Sequence, residues 1–454
     1  MKNENIEVFE NAPVPKAVLS LAIPTVLSMI VVVFYNLVDT FFVGQTGDPN
    51  QMAAVSIVTP IFLFFMAAGN IFGIGGSSYI SRSLGEKKYD RVKHISAFCL
   101  YTGIIVGIVG TILLLTFMTP LLHAIGTSPN TFEFSRNYLT WIAIGGSAIV
   151  VSTVFTNIIR GEGAAKASMV GMIAGTVANI IFDPIFILKS FFGIPGFGRG
   201  VAGAAIATVL GNLIAIIVYL FHICSKHSVL SINIRFFSVH DRIFREVLSV
   251  GLPASVISIL MSLSNILMNT FLVTYGDIPI AGMGIAMKAN MLAIFVQMGI
   301  AMGIQPLIGY NFGAQNYRRM KSVMKFSAVC VFIAGVTLTA VYYIFSREII
   351  SVFIDNEEVI EIGIIMLHAL MFSTPLLGIM FVISFSFQGM GKSLPALILA
   401  VSRQGFVFLP SVFILNYFFH LNGLIYSQPI ADLVALVIAI VMLLRINKRL
   451  LQKE

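Results

Sequence analysis

The chain is written in long apolar runs separated by short polar ones. Twelve runs reach the roughly 20 residues that a helix needs to cross a bilayer core. They lie near 17–44, 52–80, 95–118, 135–159, 167–188, 200–222, 246–273, 280–309, 322–346, 360–388, 394–419 and 423–445, and are numbered as spans 1 to 12. Only a helix satisfies every backbone N–H and C=O inside such a segment, and the runs are too long for barrel strands. The pattern predicts an all-α membrane protein.

Composition agrees. Of 454 residues 57% are hydrophobic and 11% charged, and mean hydropathy is +0.94; soluble domains carry about 25% charged residues. The net charge of +8 would suit a nucleic-acid partner, but the charges sit in short clusters between apolar runs. Of 28 Lys and Arg, 22 lie in the termini and even-numbered loops, from Lys2 and Lys16 to Arg449 and Lys453. That asymmetry places both termini in the cytoplasm. Lys288 and Arg403 are the two that fall inside spans. Residues 1–16 are polar and acidic-leaning with no apolar core, so no cleavable signal peptide is expected. Cys99, Cys224 and Cys330 form no CxxC, and a reduced, non-ligating state is expected. "GIGGSSYISRSLG" lacks the lysine of a phosphate loop, and neither metal-ligand spacing nor a nucleophile–base motif is present, so no enzyme chemistry and no cofactor are expected.

The sequence also repeats itself. "LSLAIP" (Leu19 to Pro24) recurs in the second half as "LSVGLP" (Leu248 to Pro253). At a constant offset, Gly75, Gly85, Tyr89, Arg91 and Lys93 meet Gly303, Gly313, Tyr317, Arg319 and Lys321, and Gly161 and Gly163 meet Gly389 and Gly391. Six spans is an even number, so both halves run the same way across the membrane, a parallel repeat about an axis along the membrane normal. The expected organisation is a cytoplasmic tail (1–16), an N-terminal six-helix bundle (17–222), a cytoplasmic linker (223–245), a C-terminal six-helix bundle (246–446) and a second tail (447–454).

Within these runs a few polar residues invite a functional reading. Asp39 is the one ionisable residue between Ala17 and Val43, and lies about 7 Å from the outer end of span 1. A carboxylate in lipid costs roughly 2.5–3.5 kcal/mol on insertion scales, so it faces a cavity or a partner. Asp183 in "ANIIFDPIF" lies at the same depth of span 5. Asn179 precedes Asp183 by four residues, and Tyr35 and Asn36 precede Asp39 by four and three, so each set shares a helix side. Pro184 should kink span 5. Tyr138 begins span 4 on the outer side, and Thr208 lies about 12 Å below the outer end of span 6. Under the repeat Asp39 maps to Met268, and Asp183 maps near Pro410. A pair of acids confined to one half points to an H⁺ or Na⁺ site, with a polar patch bonded between helices as the structural alternative. Two close carboxylates in a poorly hydrated setting favour sharing a proton or a cation.

Taken in order, "LSLAIPTVL", "NLVDTFFVG", "SRSLGEKKYDRVK", "NIIRGEG", "NIIFDPIF", "GVAGAAIAT", "GYNFGAQNYRRMK", "SFQGMGKS" and "SQPIADL" resemble the multidrug and toxic compound extrusion (MATE) family, in its DinF- and MepA-like bacterial branch. The resemblance implies two six-helix bundles around a central cavity. It implies export of organic cations and other amphipathic drugs in exchange for H⁺ or Na⁺, across a bacterial plasma membrane. It places the cation site on Asp39, Asn179 and Asp183, with Tyr35, Tyr138 and Thr208 mapping onto surrounding polar residues. A working monomer is the expectation, with drugs and the bilayer as partners and no nucleic acid.

Near mid-membrane in the second half, Arg403 of span 11 and Asp432 of span 12 suggest a stabilising or gating ion pair. Lone His368 reads as a donor between helices. Seven methionines on spans 7 and 8, among them Met268, Met283 and Met287, suit packing or a cavity for varied flat molecules. The alternative function is a lipid-linked oligosaccharide flippase of the same superfamily, against which stands the scarcity of intramembrane Lys and Arg.

Overall fold

The computed structural model describes residues 4–191, 194–239 and 242–451; Lys2 and Lys453, counted above with the tails, lie outside them. "Inner" denotes the end carrying the basic loops and "outer" the opposite end. The helices run well past the apolar stretches that announce them. Spans 2 and 8, Pro49–Gly85 and Asp277–Gly313, have 37 residues each, about 55 Å of helix against a roughly 30 Å hydrocarbon core.

Nine crossings are single helices among the described residues. Span 4 is bent by 54° between Pro129–Ile144 and Gly146–Gly161. Gly145-Gly146 supplies the weak point, and the Thr111 hydroxyl donates to the carbonyl of Ala143 at 2.6 Å, taking a group that the bend releases. The outer piece starts on a reciprocal cap, with the Ser128 side chain accepting from Thr131 N and the Thr131 side chain from Ser128 N. Spans 11 and 12 form one run, Ser393–Ile446, divided by the left-handed backbone of His420 (φ 53°, ψ −134°). That makes twelve crossings in two repeats, as the run lengths predict. A two-stranded hairpin, Ser190–Phe191 with Ile194–Pro195, follows span 5.

Backbone contacts reproduce the repeat. A Cβ on Gly161 would stand 2.7 Å from Ser77 Cα, and one on Gly389 2.7 Å from Gln305 O. The offset that carries Gly161 onto Gly389 also carries Ser77 onto Gln305.

Grouped by contacts, the chain forms two units whose membership departs from covalent order. One holds Met1–Val8 and Val31–Gly251, the other Phe9–Ile30 and Leu252–Glu454. In the first unit the linker is fastened down. Glu162, 1% exposed, accepts from His222 Nε2 at 2.7 Å, Ser228 Oγ at 2.9 Å and Val229 N at 3.0 Å. Tyr101 donates to Ile232 O, Ser96 to Ser231 O, and Arg82 pairs with Glu246 at 3.0 Å. In the second unit Arg319 holds the early chain, donating to Phe9 O and Ala12 O, while Phe9 packs against Tyr310. Its core gathers Met268, Met283, Met366, Met371 and Phe408.

Candidate cation site in the N-terminal bundle

Span 5 (Ala165–Ile187) and span 6 (Val201–Ile223) approach closely through small residues. A Cβ on Gly211 would fall 2.6 Å from Gly175 O and 3.1 Å from Asn179 Cβ. This contact lets a short Asn179 side chain reach across. With its amide oriented to satisfy both ends, the nitrogen donates to Asp183 Oδ2 at 3.1 Å and the oxygen accepts from Thr208 N at 2.9 Å. Asp183 is fully buried, at 0% exposure. From span 1 (Val14–Gly44) the Tyr35 hydroxyl sits 3.4 Å from Thr208 Oγ1. Tyr138, buried on the outer piece of span 4, lies within electrostatic range of Asp39 and Asp183, and the two acids lie within range of each other.

Tyr35, Tyr138, Asn179 and Thr208 thus supply a neutral polar wall around Asp39 and Asp183. Among the described residues, Oδ1 of Asp39 and Oδ1 of Asp183 have no hydrogen-bond partner. Two carboxylates, two phenols, a hydroxyl and an amide form a hard, oxygen-rich donor set suited to a proton or a small monovalent cation, and poorly suited to soft metals.

Asn36 does not join them. It is exposed, and its amide donates to Val32 O of its own helix at 2.8 Å. Three- and four-residue spacings fall on opposite sides of Asp39, at about 60° and 40°, so Tyr35 and Asn36 diverge. Span 5 continues past Pro184. One turn of helix remains beyond it, and the last carbonyls, Ile185, Phe186 and Ile187, accept from Phe197, Arg199 and Gly200 as the chain folds back.

In the second unit Arg403 Nε meets Asp432 Oδ1 at 2.7 Å, with both residues buried. Gln428 Nε2 also donates to Asp432 Oδ1 at 2.9 Å, and Ser373 Oγ to Asp432 Oδ2 at 2.9 Å. The Arg403 guanidinium lies over the Phe381 ring, 5.4 Å from its centroid. Arg403 belongs to a π-helical turn, Ser402–Phe406, a local widening that the apolar pattern did not signal. Gln428 also lines a cavity of about 30 Å³ with Ser264, Asn265, Met268, Met283, Met287, Leu370 and Phe408; that is room for one water. His368 makes no interhelical donation through Nε2 among the described residues. Its ring stacks on Tyr343 at 4.1 Å, where flat contact replaces the expected hydrogen bond. Among the described residues no cluster of three or more His, Cys, Asp or Glu is placed to hold a metal.

Comparison with known proteins decides the family. The MatE family model matches twice, over residues 24–185 and again over 253–418. The chain belongs to the MatE family. The two MatE matches begin at Pro24 and Pro253, the prolines that close the two copies of the repeated motif. The multidrug export protein MepA of Staphylococcus aureus (strain NCTC 8325 / PS 47) is 31% identical over 450 residues, 99% of this chain and 98% of that one. A crystal structure of MATE in complex with MaL6 superposes with TM-score 0.93 at 25% identity, covering 100% of both chains. An outward-facing multidrug resistance MATE family transporter of the MOP superfamily gives TM-score 0.91 at 25% identity, covering 100% of this chain and 99% of that one.

Proposed function

We propose that this chain is a cation-coupled multidrug efflux antiporter of the bacterial plasma membrane, exporting organic cations and other amphipathic drugs by alternating access. Full-length similarity to a multidrug export protein supports the cargo class. The observation that carries the coupling is the acid pair, Asp183 buried and Asp39 half-buried beside neutral polar groups in one repeat, with no acid at the equivalent positions of the other. From the outside, Asp39 and Asp183 take up H⁺ or Na⁺. Neutralising the pair removes the repulsion between carboxylates and the desolvation of charge, so the loaded and empty sites favour different packings of the N-terminal bundle. That difference is what an ion gradient requires in order to bias a conformational equilibrium. Release inward resets the site. Both termini lie in the cytoplasm in this reading, and one chain suffices.

The flippase alternative weakens. A pyrophosphate groove needs several free cations, and Arg403 is committed to Asp432.

The test is efflux of a fluorescent cationic dye from energised vesicles carrying wild type, Asp39→Asn or Asp183→Asn, with a proton uncoupler and a Na⁺ gradient applied separately. Loss of efflux in both folded variants is expected, and the gradient that drives wild type names the ion. Normal efflux in both variants would overturn the assignment.

A further inference from the structure

We infer that Arg160 is an electrostatic barrier at the inner mouth of the N-terminal bundle, preventing the coupling cation from passing through the protein uncoupled. The inference rests on the coupling role of Asp39 and Asp183. It starts from a buried charge that has no counter-ion among the described residues. Arg160 is 2% exposed, in the last turn of the inner piece of span 4. Its Nη2 donates to Asn157 Oδ1 and its Nε has no partner among the described residues. Asn157 in turn donates to Thr153 O at 2.8 Å and to Asn70 Oδ1 at 3.4 Å. Tyr219, within electrostatic range, shares a hydrogen bond with Thr156 at 2.9 Å and donates to Ser168 O at 3.3 Å. Each of these neighbours is neutral, and the nearest acid in sequence, Glu162, spends its carboxylate on His222, Ser228 and Val229.

A buried cation is costly unless paired, so a purely structural position should avoid one. The second repeat does. The equivalence is fixed by backbone: Gly161 against Ser77 and Gly389 against Gln305 make the same close approach at the one offset that relates the repeats. The residue before each glycine is Arg160 in one repeat and Gln388, equally buried, in the other. The fold therefore accepts an uncharged amide there. The charge accompanies the acids: the repeat holding Asp39 and Asp183 has the arginine, and the repeat lacking them does not. Favourable interaction with a helix C-terminus would be available in both repeats and does not explain the difference. A fixed positive charge lining a polar route repels protons and cations while leaving the packing intact. Asp183 lies about 27 Å along span 5 from the inner end at Ala165, and in this proposal the buried polar side chains of Tyr219, Thr156, Ser168 and Asn157 form the inner stretch of the cation's route.

The purified full-length chain in liposomes, under an inside-negative K⁺ diffusion potential and without drug, tests this. An entrapped pH dye reads H⁺ entry and a Na⁺ dye reads Na⁺ entry. Arg160→Gln, the residue of the second repeat, should raise entry of one of the two cations about tenfold, while Arg160→Lys stays near wild type. Adding Asp39→Asn and Asp183→Asn to Arg160→Gln should return the leak to wild type, because the route passes through the acids. A folded Arg160→Gln no leakier than wild type to either cation overturns the barrier, as does a leak that survives loss of both acids. Should Arg160→Gln not fold, Asn157→Asp sets a carboxylate on the guanidinium without changing shape. It must then leak, and a tight Asn157→Asp overturns the proposal. If instead the single Asp variants export dye normally, the coupling reading itself fails and the barrier falls with it.

Discussion

Spans 5 and 6 and their counterparts, spans 11 and 12, solve one packing problem in two ways. In the first repeat Gly175 and Gly211 bring two backbones into contact, and the polar groups Asn179, Asp183 and Thr208 hang at the outer side of that seam. In the second, the position equivalent to Gly175, at the offset that relates Gly161 to Gly389, is Arg403. There the seam is held by a buried ion pair braced by Gln428 and Ser373, and the helix widens into a π turn to place the guanidinium. An acid that is fully paired has little reason to exchange its charge state, whereas an acid whose oxygen lacks a partner is free to do so. The same fold thus separates a carboxylate held by three partners from two that each keep an oxygen without one among the described residues.

That contrast can be broken most decisively at the acids themselves. Asp183→Asn and Asp39→Asn should each lower dye efflux at least about tenfold, with little change in thermal stability in detergent, because neutralising them mimics a loaded site. The reverse profile is expected at the ion pair. Arg403→Gln alone should destabilise by about 3–5 kcal/mol by stranding Asp432, and Arg403→Gln with Asp432→Asn should recover most of that loss. Denaturation midpoints of the three proteins measure it, and a double variant no better than the single would mean that Asp432 is not held by Arg403. Gly211→Ala should cost about 1–3 kcal/mol and reduce efflux, because its new methyl meets Gly175 O and pushes Asn179 away from Thr208. The smallest effects sharpen the boundary of the site. Tyr35→Phe loses one long hydrogen bond and should alter efflux by less than about threefold. Asn36→Ala should leave efflux unchanged, and a large loss there would return Asn36 to the site.

The spans were legible because lipid enforces long apolar runs, and the site was legible because a charge inside such a run stands out. Asp39, Asn179 and Asp183 could be grouped from depth and helix side alone. Asn36 could not be separated from Tyr35 that way, since both spacings count as one face and only the direction of a side chain distinguishes them. The bend in span 4 leaves only Gly145-Gly146 in its own segment and is completed by a threonine of span 3, and Arg403 in the π turn meets its acid in the next span, so the apolar pattern announces neither. Arg160 was concealed differently: counted among loop cations, it looked solvated, and nothing in "NIIRGEG" reveals that its guanidinium is enclosed.

The exchanged membership of the two units also bears on how the chain is made. Residues 9–30 leave the ribosome early, yet they belong with helices synthesised long after them. Residues 243–251 complete the earlier unit from beyond the linker. A nascent chain stopped after span 6 would therefore hold an incomplete first bundle and an orphaned opening segment. Quality control that recognises unburied helix surface would see the product as unfinished until the last spans arrive. Synthesis of this protein is then close to an all-or-nothing event, although its sequence reads as two copies of one half.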